Sequence, residues 1–227
     1  MIKSALNARL LTVADMVRQD ATFADIGTDH AYLPLFLLDE GRISHAFCSD
    51  INRGPLDSAV RNARERGRES RMTFILTDGA AALSGRGITD YAICGMGGEL
   101  IADIIDRAPQ LRDGSVNLIL QPMTRQAHLR RYLAAAGFSV SKESYSFDGG
   151  KYYVCLLATY TAERRVLSNI EAELGFSGAE IIGDSARVGY LKAKLSALTR
   201  VARGKRRGGE SNIPEEEVIS AIRDIIK

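Results

Sequence analysis

The sequence predicts an α/β fold in which a seven-stranded, mostly parallel sheet is followed by a helical hairpin. Short apolar runs alternate with helical patterns from residue 23 to about residue 160, as they do in the βαβ units of a parallel sheet. The last two runs are separated only by the turn residues 147–150 (Phe-Asp-Gly-Gly), which predicts an antiparallel hairpin. Beyond residue 160 the apolar spacing is helical throughout.

The elements of the sheet region follow from the length and spacing of the apolar runs. The predicted strands span residues 23–26, 46–49, 72–76, 91–94, 116–120, 138–144 and 152–159. The predicted helices between the first six strands span residues 33–39, 55–65, 80–83, 99–108 and 124–136. An amphipathic helix is also predicted before the first strand, with Leu6, Leu10, Val13 and Val17 on one face.

Three apolar stripes at helical spacing follow the sheet region. The first comprises Val166, Leu167, Ile170 and Leu174 and stops at Gly175; the second comprises Val188, Leu191, Leu195, Leu198 and Ala202; the third, after Pro214, comprises Val218, Ile219, Ile222, Ile225 and Ile226. The second stripe has the spacing of a short coiled-coil seam. Residues 204–212, rich in glycine, are expected to form an exposed loop. The chain is therefore predicted to divide into a catalytic domain, residues 1–160, and a helical coiled-coil domain, residues 161–227.

Composition restricts the class of protein. No apolar stretch is long enough to span a membrane, and the first residues lack a secretory cleavage pattern. The three cysteines, Cys48, Cys94 and Cys155, are far apart and lack the Cys-x-x-Cys spacing of a zinc site. These features predict a cytoplasmic protein with reduced thiols and no metal, and a monomer is favoured.

Charge is distributed unevenly. The formal net charge is only +2, yet residues 185–209 hold eight basic residues and no acidic one: Arg187, Lys192, Lys194, Arg200, Arg203, Lys205, Arg206 and Arg207. Such a local excess indicates a polyanionic partner better than the total charge does. A solvated helix face without a partner is the alternative.

The first predicted strand runs into Asp25, Gly27, Thr28, Asp29 and His30. A glycine at this strand-to-helix turn lets the backbone approach a nucleotide cofactor closely. The second glycine of a dinucleotide loop is absent, because Asp29 occupies its position, and a carboxylate there would repel a pyrophosphate. The loop suits a cofactor that carries positive charge, such as the sulfonium of S-adenosylmethionine.

The next two strands also end in acidic residues. Asp50 and Ile51 follow the second strand, and Asp78 and Gly79 follow the third. Asp50 is spaced to accept hydrogen bonds from ribose hydroxyls, and Asp78 is placed to accept one from an adenine amino group. Because the carboxyl ends of parallel strands meet at one edge of the sheet, these residues are predicted to bind one cofactor.

The fourth and fifth strands end in residues that are candidates for the substrate side of this edge. The fourth runs into Gly95, Met96, Gly97 and Gly98, a glycine-rich backbone that would let a flat ring lie close to a methyl donor. Tight packing between strand and helix is the alternative reason for these glycines. Gln121 and Pro122 follow the fifth strand, and Gln121 is expected either to bind a base or to cap the next helix.

These motifs resemble those of a known family. The segments ADIGTDHAYLP (24–34), INRGPL (51–56), CGMGGEL (94–100) and LILQP (118–122) resemble the bacterial tRNA (adenine22-N1)-methyltransferases over roughly residues 1–160. The resemblance implies a class I, Rossmann-like methyltransferase domain, S-adenosylmethionine as cofactor, a C-terminal coiled-coil domain, and methylation of N1 of adenine 22 in the D-loop of tRNA. It also implies a site role for Arg9.

Roles are assigned to these residues as expectations. Positioning roles in catalysis are expected for Asp29, Met96 and Gly97. Cofactor binding is expected for Asp25, Gly27, Thr28, Asp29, His30, Asp50, Ile51, Asp78, Gly79 and Gly95. Substrate binding is expected for Arg9, Gly98, Gln121, Pro122, Lys192, Lys194, Arg200 and Arg203. Three alternatives remain open at this point: a small-molecule methyltransferase, a dinucleotide-dependent oxidoreductase and a non-catalytic RNA-binding protein.

Overall fold

The computed structural model describes residues 6–175 and 184–227. Seven strands form one sheet: β1 (Ala21–Ile26), β2 (Ile43–Asp50), β3 (Met72–Leu76), β4 (Asp90–Gly97), β5 (Asn117–Thr124), β6 (Phe138–Asp148) and β7 (Lys151–Tyr160). Their order is β3-β2-β1-β4-β5-β7-β6. Strand β7 runs antiparallel to both of its neighbours, and the pairs among β1–β5 are parallel. The predicted mostly parallel sheet with a terminal hairpin is confirmed.

The sheet carries a hydrophobic core on each face because successive side chains of a strand point to opposite sides. On β5, Leu118 and Leu120 belong to one buried cluster and Ile119 to the other. The helices before the last hairpin are α1 (Ala8–Ala14), α2 (Tyr32–Asp39), α3 (Arg53–Glu65), α4 (Gly98–Asp106) and α5 (Gln126–Ala136). Helices α1, α2 and α3 contribute to the core on one face, and α4 and α5 to the core on the other. The segment predicted as a helix at residues 80–83 is a short 3-10 turn, Ala81–Leu83.

The C-terminal region consists of α6 (Asn169–Leu174), α7 (Ser185–Arg207) and α8 (Ile213–Ile225) in the described residues. Helices α7 and α8 pack together as the expected hairpin, and α7 also contacts β6 and β7. Leu191 and Ile222 belong to the same buried cluster as the core of α4 and α5. The hairpin therefore packs on the sheet region instead of projecting from it. None of the described helices is long and apolar enough to cross a membrane.

Two expectations for this region are wrong. Val166 is almost fully exposed and precedes α6, so the first predicted stripe is not one helical face. Helix α7 also continues through Gly204 to Arg207, where a loop was expected from residue 204. Lys205 pairs with Glu215 and Arg206 with Glu216 on α8, and these contacts support the last turn despite the low helix propensity of glycine.

Candidate functional site

A cleft lies at the carboxyl edge of the sheet, next to the ends of β1 and β4. It has a volume of about 280 Å³. Arg9 and Leu10 of α1 line one part of it, the loop after β1 lines another, and Cys94 and Gly95 of β4 line a third. In an open parallel sheet, ligands bind at this edge where the direction of strand order reverses. Here the reversal falls between β1 and β4, as the strand order requires.

The loop after β1 is folded across the end of β2. The backbone N–H groups of Gly27 and Thr28 both donate to the carbonyl oxygen of Ser49, at 2.8 and 2.9 Å. Gly27 has φ of +76°, a left-handed conformation that favours glycine. A side chain at this position would also collide with the methyl group of Met96. The left-handed conformation therefore requires glycine here, whereas the flexible end of the Met96 side chain could move aside.

Asp25 is a buried acid at the wall of the cleft. The hydroxyl of Thr28 donates to its carboxylate at 2.7 Å, so the side chain of Thr28 positions Asp25. Burial raises the pKa of Asp25 to about 6; the nearby charge of Asp50 adds to the increase and the Thr28 hydrogen bond opposes it. Within residues 6–175 and 184–227, no lysine or arginine forms an ion pair with Asp25 or Asp50. The site therefore favours a cationic ligand.

Asp29 and His30 occupy the outer part of the loop. The carboxylate of Asp29 is 75% exposed and lies 3.5 Å from Nε2 of His30. Both residues line the cleft. The side-chain amide of Asn62 donates to the carbonyl oxygen of His30 at 2.9 Å and thereby ties the loop to α3. Sequence reasoning did not identify Asn62, which lies 32 positions further along the chain.

The acids after β2 and β3 lie at the same edge of the sheet as the cleft but do not line it. One carboxylate oxygen of Asp50 accepts from the backbone N–H of Asn52 at 2.7 Å, and the neighbouring Ile51 side chain is largely exposed. Asp78 forms an exposed ion pair, at 2.6 Å, with Arg107, the residue that follows α4. Gly79 has a left-handed φ of +73°. Sequence reasoning missed Arg107, because nothing local connects it to Asp78.

Gln121 holds the end of β4 against α1. Its side-chain oxygen accepts from Nη1 of Arg9 at 2.6 Å and from the backbone N–H of Gly95 at 3.2 Å. Gln121 is only 1% exposed, and Pro122 is buried as well. The expectation of a helix cap is wrong, because no side chain caps α5. The amide positions Arg9 and Gly95, which face the cleft, and the base contact of Gln121 stays a prediction. The guanidinium of Arg9 also lies over the ring of Tyr153, 5.9 Å from its centroid.

The glycines after β4 differ in their roles. Gly95 has φ of +77° and lines the cleft. Gly97 is half-buried and adjoins the hydroxyl of Thr124. Gly98 is buried, and a Cβ there would collide with the carbonyl oxygen of Arg125. This glycine therefore permits α4 to pack tightly on the β5–α5 connection, which supports the packing alternative, and its substrate contact stays a prediction.

The basic residues of α7 fall into two groups. Arg187 is buried, and Lys194, Lys205 and Arg206 form ion pairs with Glu173, Glu215 and Glu216. The side chain of Lys194 is only 14% exposed, because α7 turns this position toward Glu173 of α6. Lys192, Arg200, Arg203 and Arg207 are exposed and have no charged partner among the described residues.

No group of three or more His, Cys, Asp or Glu in the described part of the chain is arranged to hold a metal ion. Cys48 and Cys155 are buried and Cys94 is half-buried, and all three are free thiols. Burial raises the pKa of each of these thiols, which disfavours the reactive thiolate.

The protein has a Rossmann-like methyltransferase fold. Three features define it: a seven-stranded sheet with one antiparallel strand, helices on both faces of the sheet, and an acid-lined cleft at its carboxyl edge. Comparison with known proteins supports this class. Residues 6–156 match the family described as a methyltransferase domain. The chain belongs to this family.

Individual proteins similar to this chain have more specific descriptions. The tRNA (adenine(22)-N(1))-methyltransferase of Bacillus subtilis strain 168 is 35% identical over 153 residues, which cover 67% of this chain and 64% of that protein. A Streptococcus agalactiae protein of the NADB-Rossmann superfamily is 30% identical, with a TM-score of 0.85 and coverage of 100% of this chain and 99% of that one. A Streptococcus pneumoniae protein proposed as a tRNA (m1A22) methyltransferase, solved with S-adenosyl-L-methionine, is 29% identical, with a TM-score of 0.83 and coverage of 98% and 100%.

Proposed function

We propose that this protein is an S-adenosylmethionine-dependent methyltransferase that methylates N1 of adenine 22 in the D-loop of tRNA. The observation that carries the proposal is Asp25, a buried carboxyl at the cleft without a cationic partner among the described residues, in a chain that is 35% identical to the Bacillus enzyme. The similar Streptococcus pneumoniae protein binds S-adenosyl-L-methionine. These findings favour the tRNA methyltransferase over the three alternatives left open by the sequence.

The residues of the cleft fit such a cofactor. S-adenosylmethionine carries positive charge on its sulfonium and amino groups, and Asp25 and Asp50 are acids that lack a charge partner in the described chain. Gly27 and Gly95 present backbone without side chains to the cleft. Asp50 and Asp78 end adjacent strands, as expected for contacts to ribose and adenine. We assign cofactor binding to Asp25, Gly27, Asp29, His30 and Gly95 in the cleft, and to Asp50, Ile51, Asp78 and Gly79 further along the same edge of the sheet.

Methyl transfer to adenine N1 demands alignment more than proton transfer. The bound cofactor supplies an electrophilic methyl group, and N1 of neutral adenine attacks with a free lone pair, so no proton must leave first. Asp29 has an exposed carboxylate that can accept a hydrogen bond from the adenine amino group. Arg9, held by Gln121, faces the same cleft. Met96 contributes by packing its methyl end against Gly27, and the positioning role of Gly97 stays a prediction.

The exposed basic residues of α7 provide a surface for RNA phosphates. At about 100° per residue, Lys192, Arg200, Arg203 and Arg207 fall within about 80° of one another on the helix. We call these four residues the basic face. Lys192 lines a surface cavity together with Tyr152 of β7. Because β7 begins at the carboxyl edge of the sheet, the basic face starts near the end of the molecule that holds the cleft. Phosphate contacts of this kind position an RNA without reading its sequence.

We further propose that residues 161–227 act as a docking element for residues 1–160. Their shared core supports a fixed geometry between the phosphate-binding surface and the cleft. The predicted second domain includes residues 176–183, which lie outside the described part of the chain. The cytoplasmic location and the monomeric state remain predictions.

The test is to incubate the protein with S-adenosylmethionine labelled in its methyl group and unmodified tRNA, followed by nuclease digestion and identification of the labelled nucleoside. We expect 1-methyladenosine, and its loss when position 22 of the tRNA is changed to guanine. Label in another nucleoside, or no transfer to tRNA at all, would contradict the proposal.

A further inference from the structure

Tyr32 and His30 form an aromatic stack in the wall of the cleft. Their ring centroids are 5.1 Å apart and the rings are inclined by 25°. Both residues line the cleft together with Asp29 and Gly95. Tyr32 is 44% exposed, a large fraction for an aromatic side chain at the beginning of a helix whose next residue, Leu33, is buried.

The local backbone is built to present this stack. Ala31, which lies between His30 and Tyr32 in the sequence, is buried. It has φ of +56°, a left-handed conformation that is unfavourable for a residue with a Cβ. Such a conformation persists only where the surroundings enforce it, and it is common at ligand-binding sites. Here the Asn62 hydrogen bond to the His30 carbonyl and the start of α2 fix the two sides of the turn.

We propose that the exposed ring of Tyr32 is the surface on which the target adenine stacks during methyl transfer, with His30 supporting the tyrosine ring. The inference rests on the function proposed above. A base that leaves its stacked position in tRNA must be received by a new stacking partner, and Tyr32 and His30 are the aromatic side chains among the described residues that line the cleft. The exposed carboxylate of Asp29, 3.5 Å from His30, lies close enough to the stack to meet an edge of the same base.

The experiment compares the wild-type protein with Tyr32→Leu, which removes the aromatic face, and Tyr32→Phe, which keeps it. Single-turnover methyl transfer is measured at saturating tRNA and S-adenosylmethionine. Base-to-aromatic stacking predicts a loss on the order of 10- to 100-fold for Tyr32→Leu and a rate within about three-fold of wild type for Tyr32→Phe. The affinity for S-adenosylmethionine and the melting temperature should be nearly unchanged in both variants, because Tyr32 is partly exposed.

A second readout reports stacking directly. When 2-aminopurine replaces the target adenine, its fluorescence in the protein complex should be quenched by wild type and by Tyr32→Phe and should be stronger with Tyr32→Leu. If wild type is active and Tyr32→Leu transfers the methyl group equally fast, the inference is wrong and the proposed function stands. Weakened cofactor binding by Tyr32→Leu at an unchanged transfer rate would also overturn it. If wild type transfers no methyl group to tRNA, the proposed function fails and the inference fails with it.

Discussion

At the scale of single residues, the most informative group is Asp25. Its carboxyl is buried at the cleft, and burial together with the charge of Asp50 holds its pKa at about 6. A carboxyl of ordinary pKa would be ionised throughout the physiological range. Asp25 instead changes its charge close to neutral pH, and a neighbouring positive charge would stabilise its ionised form.

This property predicts a pH-dependent affinity for S-adenosylmethionine. Below about pH 6 the ligand-free carboxyl is protonated, and a bound cation favours the ionised form, so binding must release a proton. Affinity should therefore increase as the pH rises from 5 through 6 and become constant near 7. Titration calorimetry in two buffers of different ionisation enthalpy measures both the affinity and the released proton. The Asp25→Asn variant should bind more weakly and without this dependence, and a dependence that persists in it would assign the titration to another group.

Asp50 supports a second prediction at this scale. Asp50→Ala removes a carboxylate expected to bind the ribose hydroxyls and should weaken S-adenosylmethionine binding by about 1–3 kcal/mol, the usual range for charge-assisted hydrogen bonds. Calorimetry on the folded variant measures the effect. Asp57→Ala on the exposed surface of α3 is the matched control and should leave the affinity unchanged. Equal dissociation constants for Asp50→Ala and the control would remove Asp50 from the site.

At the scale of elements, one ion pair connects α5, β6 and α6. Arg130 of α5 is buried and makes two contacts with Glu143 of β6, at 2.8 and 3.0 Å. The same guanidinium donates to the carbonyl oxygen of Ala172 in α6 at 3.0 Å, and the hydroxyl of Tyr145 donates to Glu143 at 2.6 Å. The C-terminal helices are thus attached to the sheet by a polar contact as well as by the apolar core.

Breaking this pair should be costly because it leaves a buried charge without its partner. Glu143→Ala should lower the free energy of unfolding by about 3–5 kcal/mol, and the double change Arg130→Met with Glu143→Leu should recover much of the loss. Denaturant unfolding measures both. The control is Glu69→Ala, which breaks a bidentate but exposed ion pair with Arg64. This change should have little effect on the free energy of unfolding. Similar losses for Glu143→Ala and Glu69→Ala would contradict this account.

At the scale of the whole molecule, the basic face and the cleft must act on one RNA. The basic face lies on α7, next to β6 and β7 at one edge of the sheet, whereas α3 packs on β2 and β3 at the other edge. The net charge of +2 is too small for general attraction, so tRNA binding should depend on where the cations are placed.

This arrangement predicts a position-dependent salt effect. The double variant Arg200→Gln with Arg203→Gln should weaken tRNA binding and reduce the slope of log affinity against log salt concentration by about 2, since about one counterion is released per phosphate contact. The charge-matched control, Arg61→Gln with Arg64→Gln on α3, should leave the slope unchanged. S-adenosylmethionine affinity should be constant in both. Equal changes in the two double variants would show that α7 has no special role.

The sequence by itself determined the succession of the strands along the chain, the terminal hairpin and the set of acids at the carboxyl edge. These features are local: apolar periodicity defines a strand, the short turn at residues 147–150 leaves no room for a helix, and the ends of parallel strands necessarily meet at one edge. Asp25, Asp50 and Asp78 could therefore be assigned to one edge of the sheet without a structure. The end of α7 was missed because the pairs of Lys205 and Arg206 with α8 outweigh the local signal of Gly204.

Only the tertiary structure decided which polar groups meet. Gln121 and Arg9, which form a hydrogen bond, are separated by 112 positions. Lys194 forms an ion pair with Glu173. A Cβ at position 98 would collide with the carbonyl oxygen of Arg125, so Gly98 has no side chain. The stack of Tyr32 on His30 depends on a left-handed alanine that no propensity predicts. In each case the contact is made by packing of elements that are distant in the chain. Folded proteins pack so that few buried polar groups stay unpaired. The partner of a polar group therefore cannot be inferred from its neighbours in the sequence.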